Sequence, residues 1–305
     1  LERISQASAK QRSGRAGRTS PGIAIRLYSE EDFNARPEFT DPEILRTSLA
    51  SVILHMASIN IISTADELED FPFLQPPEHK QITDGVTLLT ELGALNTGNP
   101  VKVRGRKGRW VTRTFKAGTI TPLGRRLARI PVAPRLARMI LASEEHQVVP
   151  EVLVLTAGLT IQDPRERPEE HRAAADELHQ RFADDKSDFS ALLNLWNYLH
   201  EQQRELSGNQ FRKLCRKEFI NYLRVREWQD LVRQLRQIAR EVGIQTGPKT
   251  IDAVTNHEGI HKALLTGLLS HIGSWDERRK NYQGARGTRF AIFPGSGLFK
   301  KRHDF

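Results

Sequence analysis

The sequence carries one cysteine, Cys215, in 305 residues. A lone thiol excludes an internal disulfide framework and any zinc site built on several thiolates. It also permits a reducing, cytoplasmic home, which is the expected localisation. The ten histidines form no ligand-spaced cluster, so no metal site is expected. No run approaches the roughly 18 apolar residues of a membrane span, and no membrane partner is expected. No signal-like segment opens the chain. It begins at Leu1 rather than methionine, and the expectation is a piece of a longer protein. Internal repeats and low-complexity segments are missing, as is any phosphate loop of the form G-x-x-x-x-G-K-S/T. Acidic residues are the scarcer charge: 37 Asp and Glu stand against 46 Lys and Arg, a net charge of +9. That excess favours a polyanionic partner, nucleic acid first and an acidic membrane surface second.

What is present divides by pattern. Ile23 to Tyr28 reads as a short strand, and Ser29-Glu30-Glu31-Asp32 as a helix start with a polar cap and acids at the positive end. Ile44, Leu45, Leu49, Val52, Ile53 and Met56 recur at helical spacing behind Pro42. Val86, Leu88, Leu89 and Leu92 mark another helix, ended by Gly93. Val101 to Thr121 alternates β-branched and aromatic residues between glycines, which predicts a hairpin. Helices followed by a hairpin point to a winged helix. From Pro122 to about Gln245 the pattern is helical almost throughout, with one long helix expected over 210–242. Trp196, Trp228 and Cys215 are expected in its core. Tyr282 to Phe293 is short, basic and strand-like, and Pro294-Gly295-Ser296-Gly297 makes a turn.

The strongest motif is Gln11-Arg12-Ser13-Gly14-Arg15-Ala16-Gly17-Arg18. With Ser8 as a helix cap, Gln11 falls three residues on, a capping-box spacing. Gln11, Arg15 and Arg18 then share one face. Gly14 and Gly17 each cost a helix roughly 1 kcal/mol against alanine, a cost that close approach to another surface would offset. Two guanidinium groups and an amide on one face suit a nucleotide γ-phosphate and its attacking water. A basic surface helix or an arginine-glycine tail would carry the same spacing.

Q-R-x-G-R-A-G-R resembles motif VI of superfamily 2 helicases in its DEAH/RHA form. The resemblance runs on through Ile4 to Ala9, Thr19-Ser20-Pro21-Gly22, Arg26-Leu27-Tyr28, Pro42 to Arg46, Leu49-Ala50-Ser51-Val52 and Thr121 to Arg125. Ile161-Gln162-Asp163-Pro164-Arg165-Glu166-Arg167-Pro168 and Phe290 to Lys301 are similar to the bacterial HrpA-type branch. It covers essentially the whole chain in order. It implies a multi-domain, mostly α fold with α+β parts. Residues 1–38 would end a second RecA-like α/β motor domain. Residues 39–121 would form a winged helix, 122–257 a helical ratchet-like bundle, and 258–305 the start of a truncated OB-fold β-barrel. It further implies an ATP-dependent RNA helicase, with Arg15 and Arg18 as arginine fingers and Gln11 on the γ-phosphate side. ATP and Mg²⁺ would be bound mainly by a first motor domain outside this stretch, so the stretch alone is expected to be inactive. Asp176-Glu177-Leu178-His179 spells a D-E-x-H box. It follows a charged, alanine-rich segment rather than an apolar strand, so it reads as a solvated helix and not a magnesium site.

Two surfaces are candidates for RNA, either single-stranded or a duplex with a single-stranded tail. Val101 to Lys116 has seven basic residues and no acid. In it, Arg104, Arg106, Lys107 and Arg109 would neutralise phosphates, and Trp110 would either stack a base or pack on its own domain. Arg286, Arg289, Lys300 and Lys301 surround the expected OB-fold loops. Arg165 and Arg167 are expected to pair with Glu166, Glu169 and Glu170. Two other readings stay open: a non-catalytic RNA-binding module, and a platform docking a protein activator. Oligomeric state is not legible.

Overall fold

The computed structural model describes residues 4–17, 19–40, 49–104, 110–248, 251, 256–299 and 303–304, with Arg104 and Arg286 described by backbone alone. Helices α1 (Gln6–Gly14) and α2 (Glu30–Asn34) open the chain, followed by α3 (Leu49–Ser58) and α4 (His79–Glu91). A hairpin of β1 (Pro100–Arg104) and β2 (Trp110–Thr114) comes next. The helical run is α5 (Pro122–Leu127), α6 (Pro134–Ser143), α7 (Val149–Thr160), α8 (Arg172–Gln180) and α9 (Asp188–Glu205). It continues through α10 (Gly208–Lys217), α11 (Tyr222–Glu241) and α12 (His257–Leu265). Strands β3 (Gly273–Asp276), β4 (Asn281–Gly284) and β5 (Arg289–Phe290) form a second antiparallel sheet, in the order β3-β4-β5. Among the described residues neither sheet closes into a barrel.

The core centres on α7, whose residues Val149 to Gly158 are all buried. A helix apolar all round needs neighbours on every side, and α6, α9, α11 and α12 supply them. Trp228 of α11 is fully buried and donates its indole N–H to the Val154 carbonyl at 2.9 Å. Trp196 of α9 meets it edge-on, with ring centroids 4.9 Å apart. Gly158 makes this approach possible: a Cβ there would lie 3.1 Å from the Trp228 ring. Cys215 is buried with them, and burial pushes its thiol up to about 11. The expected placement of Trp196, Trp228 and Cys215 holds.

The helix expected over 210–242 is two helices. Phe219 adopts φ +54° between them, and Asn221 caps α11 by accepting from the Arg224 N–H. No glycine or proline marks this break. It is tertiary: the Glu166 N–H donates to the Phe219 carbonyl at 2.7 Å, and the Asn221 N–H to the Pro164 carbonyl at 2.7 Å. Glu218 turns inward to accept from the Tyr198 hydroxyl and to pair with Arg181.

The hairpin stands where its β pattern places it, with β1 and β2 paired antiparallel. Its base is tied to the end of α4. The Gly118 N–H donates to the Asn96 carbonyl, and Asn96 donates back to the Thr119 carbonyl and hydroxyl. Gly118 at φ +72° also offers its carbonyl to the Ala65 N–H at 3.2 Å, fixing the wing to the 3-10 turn Ala65–Leu68. Gly85 in α4 lets α3 come close: a Cβ would meet Ala50 N at 3.2 Å.

Candidate functional site

Ser5, not Ser8, caps α1, accepting from the Ser8 N–H at 3.2 Å. The helix starts a turn early because the segment 34–40 folds back onto it. The Gln6 and Ala7 N–H groups donate to the carbonyls of Pro37 and Glu38, and the Thr40 hydroxyl donates to Ser5 Oγ at 2.9 Å. Gln6 also donates its amide to the Arg36 carbonyl at 2.9 Å. The capping box expected between Ser8 and Gln11 therefore does not form, and Gln11 lies mid-helix.

The clamped first half of α1 leaves its second half exposed. Gln11 and Arg15 are both exposed and stand one turn apart, with Arg15 closing the helix through its N–H to the Arg12 carbonyl. Their Cα atoms are about 6 Å apart along the axis on a regular rise. Arg18 lies outside the described residues. A Cβ at Gly14 or Gly17 would meet nothing within 4 Å, so no described surface offsets their helix cost. In this segment the close approach is at Gly22, where a Cβ would sit 2.0 Å from the Ala16 carbonyl oxygen. Pro21-Gly22, quoted in the family resemblance, is also the turn signal that marks this position.

Residues 23–28 do not form the expected strand. Ile23, Ile25 and Leu27 are 89%, 82% and 96% exposed, and among the described residues no neighbouring strand pairs with them. A strand needs a bonded neighbour, and the alternation alone cannot provide one. Ser29 does cap α2 as expected, accepting from the Asp32 N–H.

On the wing, Lys102 is opposite Thr112, and Arg104 is opposite Trp110. Opposed residues share a face, as do residues two apart. Lys102, Trp110 and Thr112 therefore occupy one face, and Val101, Val103, Val111 and Arg113 the other. Every residue of β2 is exposed, and Trp110 is 70% exposed, so it does not pack on its own domain. Arg106, Lys107 and Arg109 lie outside the described residues.

Arg165 and Arg167 are paired, but with partners other than those expected. Arg165 grips Asp163 through Nε and Nη2 at 3.1 and 2.7 Å, and Arg167 Nε donates to Asp176 Oδ1 at 2.6 Å. Burial pushes the Asp163 carboxyl up, but the hydrogen bonds and charge of Arg165 outweigh it and hold it low. Glu166 instead accepts from Asn221 at 2.7 Å. Asp176, first of the D-E-x-H letters, thus sits on the exposed helix α8 in an ion pair. Arg165 and Arg167 line a cleft with Phe293 and Phe299 of the C-terminal segment. Arg289 is exposed on β5, Arg286 falls in the turn before it, and Lys300 and Lys301 lie outside the described residues.

Residues 85–132 match the profile "Helicase associated domain (HA2), winged-helix", and residues 133–219 match "Helicase associated domain (HA2), ratchet-like". Over 301 residues, 99% of the chain, it is 54% identical to "ATP-dependent RNA helicase HrpA" of Escherichia coli (strain K12). The chain belongs to the HrpA-type branch of the DEAH/RHA helicases. The HrpA homolog of Haemophilus influenzae is 53% identical over 302 residues, again 99% of the chain. A more distant relative, "Probable ATP-dependent RNA helicase DHX34" of Mus musculus, is 30% identical over 81% of the chain. The chain spans 22%, 22% and 20% of the lengths of these three HrpA-type and DEAH-box relatives.

Proposed function

We propose that this HrpA-type chain supplies the nucleotide-sensing helix and the RNA-holding accessory domains of an ATP-dependent RNA helicase. The observation that carries this is the shape of α1. One end is clamped by residues 34–40, and the other presents Gln11 and Arg15 to open space. A carboxamide and a permanently charged, forked guanidinium fit a nucleotide phosphate, and Arg18 would add the second fork. Their role is to orient the terminal phosphate and stabilise the charge that spreads over it during transfer, an effect of about 10³–10⁵ in rate for an arginine finger. The exposed Ile23, Ile25 and Leu27 support the same reading, as the inner side of a strand whose RecA-like sheet lies outside the described residues.

ATP would be cradled mainly by a first motor domain outside this stretch. Among the described residues no group of His, Cys, Asp and Glu suits a metal ion, so these residues do not fit Mg²⁺, which would be held with ATP by that first motor domain. The wing would carry single-stranded RNA through Lys102, Arg104, Arg106, Lys107 and Arg109, with Trp110 as a stacking platform. The sheet β3-β4-β5 would open an OB fold, adding Arg286, Arg289, Lys300 and Lys301. Movement of the motor domains against these holders would then become translocation along RNA and unwinding of a tailed duplex in the cytoplasm.

The test is a comparison of two proteins. The full-length protein should hydrolyse ATP when given single-stranded RNA and separate a tailed duplex. The 305-residue stretch should bind RNA without ATP turnover. Turnover by the stretch at the full-length rate would overturn the proposal.

A further inference from the structure

Helix α10 has two opposed faces. Phe211 and Cys215 point into the core at 2% and 1% exposure, while Arg212, Lys213, Arg216 and Lys217 are all exposed. The helix contains no acidic residue. Among the described residues none of these four cations pairs with a carboxylate. Some exposed cations elsewhere in the molecule do have a carboxylate partner. Arg233 pairs with Asp230, Lys262 with Glu258 and Arg167 with Asp176. Cations in a last helical turn complement the helix dipole, which accounts for Arg216 and Lys217. It does not account for Arg212 and Lys213 in the middle.

Geometry narrows the partner. Arg212 with Arg216, and Lys213 with Lys217, form two rows at i, i+4, each about 6 Å long on a regular rise. That is close to the spacing of successive phosphates on a nucleic-acid strand. The helix itself is rigidly set by a capping box between Ser207 and Gln210 and by packing on α9 and α11. Arg212 also lies over the Tyr222 ring, 4.8 Å from its centroid, so that aromatic face is covered. Single-strand grooves combine cations with open stacking platforms. This face has cations alone, which suits a backbone whose bases are turned inward, as in duplex RNA.

We infer that the outer face of α10 is a second RNA surface, one that grips the phosphate backbone of duplex RNA flanking the strand held by the motor. This deepens the helicase reading and rests on it.

The test uses the full-length protein with Arg212→Gln, Lys213→Gln, Arg216→Gln and Lys217→Gln combined. Binding is measured to a blunt RNA hairpin and to a short single strand across about 50–200 mM salt. The expected result is a hairpin salt slope shallower by roughly 2–4, since each lost phosphate contact removes about 0.7–0.9, with the single-strand slope unchanged. Arg212→Lys with Arg216→Lys should keep the wild-type slope. In the wild-type protein, hairpin RNA should protect Lys213 and Lys217 from acetylation, a readout independent of how the variants fold. An unchanged hairpin slope without lysine protection overturns the inference. So does an equal loss on the single strand, which would make α10 part of the strand path, or loss of binding to poly-glutamate alone, which would make it a protein dock. Absent ATP turnover in the wild-type protein would sink the motor reading and leave the hairpin slope to judge α10 on its own.

Discussion

The Arg36 guanidinium lies over the Tyr28 ring, 3.8 Å from its centroid. The same group pairs with Asp32 and donates to the Ile4 carbonyl at 3.5 Å, just ahead of the α1 cap. One nearly buried side chain therefore ties the segment after α2 to the start of the helix that carries Gln11 and Arg15. A desolvated cation–π contact is worth up to about 2 kcal/mol, and Arg36→Ala would also leave Asp32 without this partner. The expected outcome is amide exchange in residues 5–14 faster by about tenfold, equivalent to about 1.4 kcal/mol of local opening. Exchange unchanged in that segment would show that α1 is held by its backbone contacts alone.

The wing offers a clean electrostatic test in the full-length protein. Neutralising Arg104, Arg106, Lys107 and Arg109 together should weaken single-stranded RNA binding and flatten its salt slope by roughly 3, at about 0.7 per phosphate on a single strand. Trp110→Ala should cost about 1–3 kcal/mol in the same binding, with its salt slope kept, because stacking is not screened. A full wild-type slope after the fourfold change would remove the wing from the RNA path.

Stability should fall on the acid side of neutrality. Burial lowers the pKa of His179, His200 and His261 below 6.5, in each case as the leading cause. His261 accepts from or donates to the Ser187 hydroxyl at 2.7 Å, and His179 contacts the Glu218 carbonyl at 2.9 Å. As pH falls through 6.5 the unfolded chain takes up protons before the folded one, so the folded state loses ground. The urea midpoint should therefore drop between pH 7.5 and pH 5.5 by an amount that replacing these histidines with asparagine reduces (roughly these limits bracket the ordinary histidine pKa). A midpoint rising toward pH 5.5 would contradict it.

Much of the fold was legible because its periodicities are local. The helices around Leu49 to Met56 and Val86 to Leu92, the hairpin at Val101 to Thr114 and the buried Trp196 and Trp228 all follow from spacing and punctuation. Several misreadings have another cause: partners outside the local pattern. Ser5 rather than Ser8 caps α1 because Thr40 and Pro37 return to it. The helix over 210–242 breaks at Phe219 because residues 164–166 bond there. Arg167 finds Asp176 on the next helix rather than the nearer glutamates. The helical spacing of the motif was legible, since Gln11 and Arg15 do stand one turn apart. The nucleotide role proposed for them requires a partner outside the described residues, which no local signal specifies.

ATP turnover of the full-length protein bearing Arg15→Ala or Arg18→Ala, measured beside its RNA affinity, addresses the motor assignment head-on. Loss of hydrolysis by about 10³ or more with RNA affinity nearly unchanged is the expected result. Turnover within a few-fold of wild type would contradict it and leave α1 as a basic surface helix.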